Sequence, residues 1–212
     1  MNEAEERLDV LDEQGVPTGE VKARALVHRD GDWHRSFHLW IVRERRYVLL
    51  QRRSKDKDLE ADKVDVSVGG HFRTGETLLD VVREVEEELG VVVTPGDLEY
   101  LDTYKAERSY PDATDREFQE TYVMFDDRPL EHYSPNYREV YVLYEVPIDR
   151  AIDLYRDGAP VAAAGWDAYA RRNNALLIAA DLIEQAREDV AKRLEHLRRW
   201  TETREAEPSE SS

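Results

Sequence analysis

Cysteine is absent from this chain of 212 residues. That excludes disulfides, thiolate zinc sites and every mechanism that needs a thiol nucleophile. Basic residues are scarce beside acidic ones: 30 Lys and Arg stand against 47 Asp and Glu, a formal net charge of -17. Such a chain is not built for nonspecific binding to a nucleic-acid polymer, which depends on neutralising phosphates with Lys and Arg. A small phosphorylated substrate is still compatible with it, because bound cations reverse the local sign of a site. No apolar run approaches the ~20 residues of a membrane span. The opening MNEAEERLDV is acidic, where a secretory leader carries basic and apolar regions. A soluble cytoplasmic protein with no membrane partner is expected. No internal repeat is visible. What the chain does have is 41% hydrophobic residues beside 36% charged ones, enough for a core under a charged surface.

From Arg7 the text reads as strands and turns. RLDVLD alternates, EQG supplies a turn and PTGEVKA continues in extended style. SFHLWIVRERRYVLLQRR holds two apolar runs around RERR, a hairpin pattern, and VDVSVGG is another short strand. Then the period changes: Leu78, Val82, Val85 and Leu89 share one helical face, and Gly90 ends it. Strand-like segments return at LEYLDTYKAE, REFQETYVMFD and REVYVLYEVP, and Ala151 to Asp157 reads as a short helix. Strands on both sides of a buried helix point to an α/β domain rather than a bundle.

Gly165 to about Arg204 contains no Pro and no further Gly. Leu176, Ala180, Ile183, Val190, Leu194 and Leu197 follow a heptad-like pattern interrupted at Arg187. This reads as one long helix, or two with a break near Arg171–Asn174. Its apolar stripe either packs back on the domain or forms a homodimer contact. The expected organisation is a domain over 1–160, a C-terminal helical extension over 161–204 and a disordered polar tail over 205–212.

The chemistry concentrates in GGHFRTGETLLDVVREVEEELGV, from Gly69 to Val91. Glu84, Glu87 and Glu88 fall at i, i+3 and i+4 and cluster on one helix face, where like charges cost about 0.2–0.5 kcal/mol per pair. A hard divalent cation such as Mg²⁺ or Mn²⁺ would relieve that repulsion; a solvated acidic face is the plainer account. Two glycines after a strand allow a sharp turn and close approach of backbone to ligand. Arg83, one residue before the first of these acids, is placed to orient it.

With these flanks, the segment resembles the signature of the Nudix hydrolases, Gx5Ex7REUxEExGU, where U is aliphatic. Gly70 and Glu76 match its first part, and Arg83-Glu84-Val85, Glu87-Glu88 and Gly90-Val91 match the second. Six positions rather than seven separate Glu76 from Arg83. The resemblance implies an α/β/α sandwich with a mixed β-sheet, here with a long C-terminal helical extension. It also implies a hydrolase that uses Mg²⁺ (or Mn²⁺) and water to cleave a small-molecule diphosphate, such as a nucleotide. Glu84, Glu87 and Glu88 would be metal ligands, with the Gly69 carbonyl as a further one and Arg83 as their orienter. Glu84, Glu117 or Glu120 would serve as general base.

Outside the signature, VHRDGDWHRSFHLWIV, LLQRRSKDKD and DVSVGGH resemble the Nudix branch that includes isopentenyl diphosphate isomerase. That enzyme holds a metal with histidines and glutamates and protonates an alkene with a Cys and a Glu. His34 and His71 match two of its metal histidines, and His28 lies near a third. Glu117 matches one of its paired strand glutamates, and Gln119 replaces the other. Its catalytic Cys falls at Gly69, so the resemblance does not extend to isomerase chemistry. His34 and His71 then stand as substrate or metal contacts, and His38 as a structural histidine. Arg52, Arg53, Lys55 and Lys57 suit diphosphate oxygens, or pair with Asp56, Asp58 and Glu60 as a solvated loop.

Overall fold

A computed structural model describes residues 6–205. The chain runs through β1 (Arg7–Leu11), β2 (Pro17–Ala23), α1 (Arg24–Asp30) and β3 (Trp33–Arg43). Next come β4 (Tyr47–Arg53), β5 (Val64–Asp65), β6 (Val68–His71), α2 (Leu78–Val81) and α3 (Arg83–Leu89). The remainder is β7 (Glu99–Tyr110), β8 (Ala113–Phe125), β9 (Val140–Pro147), α4 (Ile148–Asp157), β10 (Val161–Asp167), β11 (Ala175–Leu177) and α5 (Arg187–Glu205).

The turns form where the residues favour them. Between β1 and β2, Asp12 Oδ1 accepts hydrogen bonds from the backbone N–H of Gln14 and Val16, both at 2.9 Å. Glu44 and Arg45 join β3 to β4 with φ of 48° and 54°. Two left-handed residues in succession give the twist that a tight hairpin needs. Helix α1 has only seven residues, too few for its period to show in the sequence. It ends on Gly31, in the left-handed region at φ 69°.

Two compact units result. The first gathers the chain up to Trp40 with Val68–Glu87 and Val91–Met124. In it β1 pairs with β2, Leu11 of β1 meets Trp33 of β3, and Ser36–Leu39 of β3 lie antiparallel to β6. β7 and β8 form a long antiparallel hairpin, and β8 also pairs with β3. The second unit gathers Ile41–Ser67, Glu88–Gly90 and the chain from Phe125. There β4 pairs with the end of β3, with β5 and with β9, and β10 joins β9 to β11. The β1–β2, β1–β3, β3–β6, β7–β8, β3–β4, β4–β5, β4–β9, β9–β10 and β10–β11 registers are antiparallel, and an isolated bridge between Val64 and Leu182 is parallel.

The signature helix is divided. Asp80 Oδ2 accepts hydrogen bonds from the Thr77 backbone N–H (2.9 Å) and hydroxyl (2.8 Å) at the start of α2. At Val82 the helix breaks and the bonding tightens, with Val85 N–H reaching the Val82 carbonyl at 3.1 Å. α3 then carries the acids, and Val81, Val82, Val85 and Leu89 are buried. Gly90 is left-handed at φ 69°, and a Cβ there would lie 2.8 Å from Ser134 Cβ. Only glycine closes this turn without displacing the loop that follows β8.

The C-terminal third departs from the expected helix. From Val161 to Asp167 burial alternates, and the segment is strand β10, hairpinned to β11 through pairs such as Ala162–Leu176. Three alanines in a row read as helix, but here the neighbouring strand β9 decides the conformation. Gly165 shows why: a Cβ at that position would strike the Asn173 carbonyl and approach Tyr144 Cε1 to 2.8 Å. Residues 179–181 and 184–186 are single 3-10 turns, and Arg187 begins the long helix rather than interrupting it. Val190, Leu194 and Leu197 are buried within the second unit, where α5 packs with α4. Beyond Glu205, the expected disordered tail lies outside the described residues. Among the described residues, no helix is long and apolar enough to cross a membrane.

Candidate functional site

Strand alternation gathers polar side chains on one face of the first unit. On β3, His34, Ser36 and His38 are buried together. On β8, Asp115, Glu117, Gln119 and Thr121 are buried at every second position. β6 adds His71, which lies opposite Ser36, and α1 adds His28. Buried ionisable groups at this density are costly unless they serve one another or a ligand.

The imidazoles of His28, His34 and His71 stand with ring centres 5.1–5.5 Å apart. Asp115 Oδ1 is 3.7 Å from His28 Nε2 and 3.6 Å from His34 Nε2. Glu117 Oε1 is 3.6 Å from His71 Nε2, and Glu6 Oε2 is 3.7 Å from His71 Nδ1. His28 Nε2, His34 Nε2 and Asp115 Oδ1 are buried without a hydrogen-bond partner. His34 Nδ1 lies 3.1 Å from the Asp32 carbonyl, so it carries the proton and leaves the Nε2 lone pair facing the cluster. Burial lowers His28 to a pKa of about 3 and His34 to about 4, which keeps both neutral at pH 7, the form that ligates metals. For His71, burial works against the charge, but Glu117 and Glu6 outweigh it and raise the pKa to about 9. Burial, with Glu117 alongside, pushes Asp115 up to about 7.

These donors fit a cation. Ligand atoms about 2.1 Å from a common ion lie roughly 3.0–4.2 Å from one another, and the spacings of 3.6–3.7 Å fall inside that range. Imidazole with carboxylate suits a borderline transition ion. Among the described residues, the groups whose donor atoms all lie within 4.8 Å of one another are His28–His34–His71 and His34–Asp115–Glu117.

The acids of α3 are disposed differently. Glu84 is 2.9 Å from Arg83 Nη2 and lies so close to β6 that a Cβ on Gly70 would be 2.7 Å from Glu84 Cδ. Burial raises the Glu84 carboxyl to about 7 against the pull of Arg83. Arg83 also reaches Glu76 (3.5 Å) and Glu87 (3.7 Å). Glu76 in turn accepts the Arg73 N–H at 2.8 Å, so the shortened spacing leaves it tied to the loop and to Arg83. Glu87 is half exposed. Glu88, in the second unit, is buried and accepts a hydrogen bond from Gln51 Nε2 at 3.3 Å. Strand β6 serves both groups of acids. Gly69 lies opposite His38 and His71 opposite Ser36, on the histidine face, while Gly70 between them turns toward Glu84.

Other expected site residues have internal partners. Arg52 lies between Asp62 (2.8 Å) and Asp181 (2.9 Å), and Arg53 meets Asp65 at 3.3 Å. Lys55 is exposed at the limit of contact with Asp62, and Lys57 pairs with Glu139. Glu120 is bound by Arg35 (2.7 Å) and the Tyr122 hydroxyl (3.1 Å). The carboxylate that accompanies Glu117 is Asp115 rather than position 119, where Gln119 Nε2 donates to Glu117 Oε2 at 2.5 Å. Sequence alone does not single out Asp115, Glu6 and Arg108. The only available signal was the alternation of Asp115 with Glu117 on a strand.

An α/β fold that carries an acidic helix and a histidine–carboxylate cluster is the frame in which the comparisons are placed. The profile of the NUDIX domain matches residues 32–161, and the chain belongs to the Nudix hydrolase family, whose members are enzymes. An uncharacterized Nudix hydrolase of Clostridium acetobutylicum is 36% identical over 160 residues, 73% of this chain and 77% of that protein. Nudix hydrolase 3 of Arabidopsis thaliana is 40% identical over 152 residues, 69% of this chain but only 20% of its own length. An isopentenyl-diphosphate Delta-isomerase of Escherichia coli is 35% identical over 98 residues, 46% of this chain and 54% of that one. The crystal structure of DR0079 from Deinococcus radiodurans shares the fold, with a TM-score of 0.57 at 21% identity over 72% of this chain and 90% of that one.

Proposed function

We propose that this enzyme is a divalent-metal-dependent pyrophosphohydrolase. It cleaves a phosphoanhydride bond in a nucleotide or other organic diphosphate by attack of water at phosphorus. The observation that carries this reading is Glu84, packed against Gly70 and ion-paired with Arg83 on the helix that also bears Glu87 and Glu88. By the family resemblance those acids and the Gly69 carbonyl would bind the metal, with Mg²⁺ or Mn²⁺ as the fitting ion. Bound there, the ion would neutralise the diphosphate and acidify water. Arg83 meets Glu76, Glu84 and Glu87, and Glu84, whose carboxyl is raised to about 7, would accept the water's proton. His28, His34, His71, Asp115 and Glu117 supply a second, nitrogen-rich donor set, which matches the isomerase likeness. Isomerisation itself lacks its thiol, because Gly69 stands on that face in place of Cys.

The test is release of phosphate or nucleotide product from a panel of organic diphosphates with Mg²⁺ or Mn²⁺. Wild type should turn over at least one substrate. Glu87→Gln and Glu88→Gln should each lower kcat by about 100-fold or more, as expected when charge stabilisation in a water-poor site is lost. Tight binding of a panel member without turnover by wild type would mean a ligand-binding module instead.

A further inference from the structure

We infer that Arg108 is a positioning residue that presents Asp115 and Glu117 to the histidine cluster. This rests on the reading of that cluster as a cation site. Arg108 lies directly opposite Asp115 in the β7–β8 hairpin, and Ala106 lies opposite Glu117. The small side chain at 106 leaves room for a guanidinium from the neighbouring pair to reach along the strand. One atom, Arg108 Nη1, is accordingly 3.5 Å from Asp115 Oδ2 and 3.5 Å from Glu117 Oε2. Those are the outer oxygens; the inner ones, Asp115 Oδ1 and Glu117 Oε1, face the imidazoles. Gln119 adds a second hold on Glu117 Oε2 from the next inward position of β8. Each carboxylate therefore has one oxygen tied back to the hairpin and one turned inward. A freely rotating carboxylate would lose that arrangement, and two buried acids side by side would repel. Partners behind the ligands commonly change metal affinity by 10–100-fold. The charge of Arg108 acts the other way, since a cation nearby disfavours a second one. The two roles thus predict opposite signs.

The experiment titrates chelator-stripped full-length protein with Co²⁺, reading both the dissociation constant and the visible absorption band, which reports coordination. In wild type the band should appear and should depend on His34, being lost in His34→Ala. Arg108→Met should weaken binding by about 10-fold or more and change the band, with Arg108→Lys restoring most of both. Gln119→Leu, a milder variant should Arg108→Met fail to fold, should change the band in the same direction with a smaller loss of affinity. An unchanged constant and band in the Arg108→Met and Gln119→Leu proteins would overturn the inference while the cation site stands. Tighter binding by Arg108→Met would also overturn it, showing that the residue acts by charge. A wild type with no His34-dependent band would remove the cation site itself.

Discussion

Gly70 is the residue on which the approach of helix α3 to β6 depends. A methyl group there would sit 2.7–2.8 Å from the Glu84 side chain, which must then swing away while Arg83 still holds its carboxylate. Displacing a reacting group by about 1 Å costs up to about 100-fold in rate. Gly70→Ala should therefore lose most of its kcat on whatever substrate the panel identifies, yet keep a wild-type far-ultraviolet circular dichroism spectrum. Arg52 presents the converse case. Its guanidinium joins Asp62 and Asp181, so Arg52→Met should cost about 1–3 kcal/mol in a urea titration, because both acids lose a partner. At this scale the sequence was legible where ligands follow one another along a helix, as Glu84, Glu87 and Glu88 do. It was not legible at Asp115 and Arg108, because a strand's alternation does not say which neighbour it will pair with.

Among the elements, hairpins and the acidic helix could be read from period and punctuation, and the β10–β11 region could not. Its alanines favour helix intrinsically, but β9 offers an edge and Gly165 a gap into which Asn173 fits. Gly165→Ala should be among the most damaging small substitutions in the second unit, destabilising it by roughly 2–4 kcal/mol, as measured by chemical denaturation. The start of α2 has a pH signature of its own. The Thr77 backbone N–H and hydroxyl bond the Asp80 carboxylate and hold its pKa below the usual range. A group depressed in the folded state contributes stability above its unfolded pKa of about 3.9, and the contribution fades as pH falls through the folded value. Asp80→Asn should thus melt below wild type at pH 7, with the two melting curves converging as pH falls below the unfolded pKa and through the lower folded one.

For the whole molecule, a cation that binds only the folded chain stabilises it by mass action, about 2.7 kcal/mol at 100 times the dissociation constant. For a protein this long, that is roughly 5–10 °C in Tm. Mn²⁺ should raise the Tm by about that amount, EDTA should reverse the shift, and a double His34→Ala, Glu87→Gln variant should show none. The break at Val82 also has a consequence for how length can vary in such a chain. Each residue of an α-helix turns the chain by about 100°. A residue lost before the break changes only the capped first turn, and the phase of everything beyond Val82 is reset by the packing of Val85 and Leu89. The same loss between Arg83 and Gly90 would rotate one acid away from its neighbours and into the core. Insertions and deletions should be tolerated from 77 to 80, ahead of the buried Val81, and rejected from 83 to 90, a contrast that one-residue deletions scored by activity would locate directly.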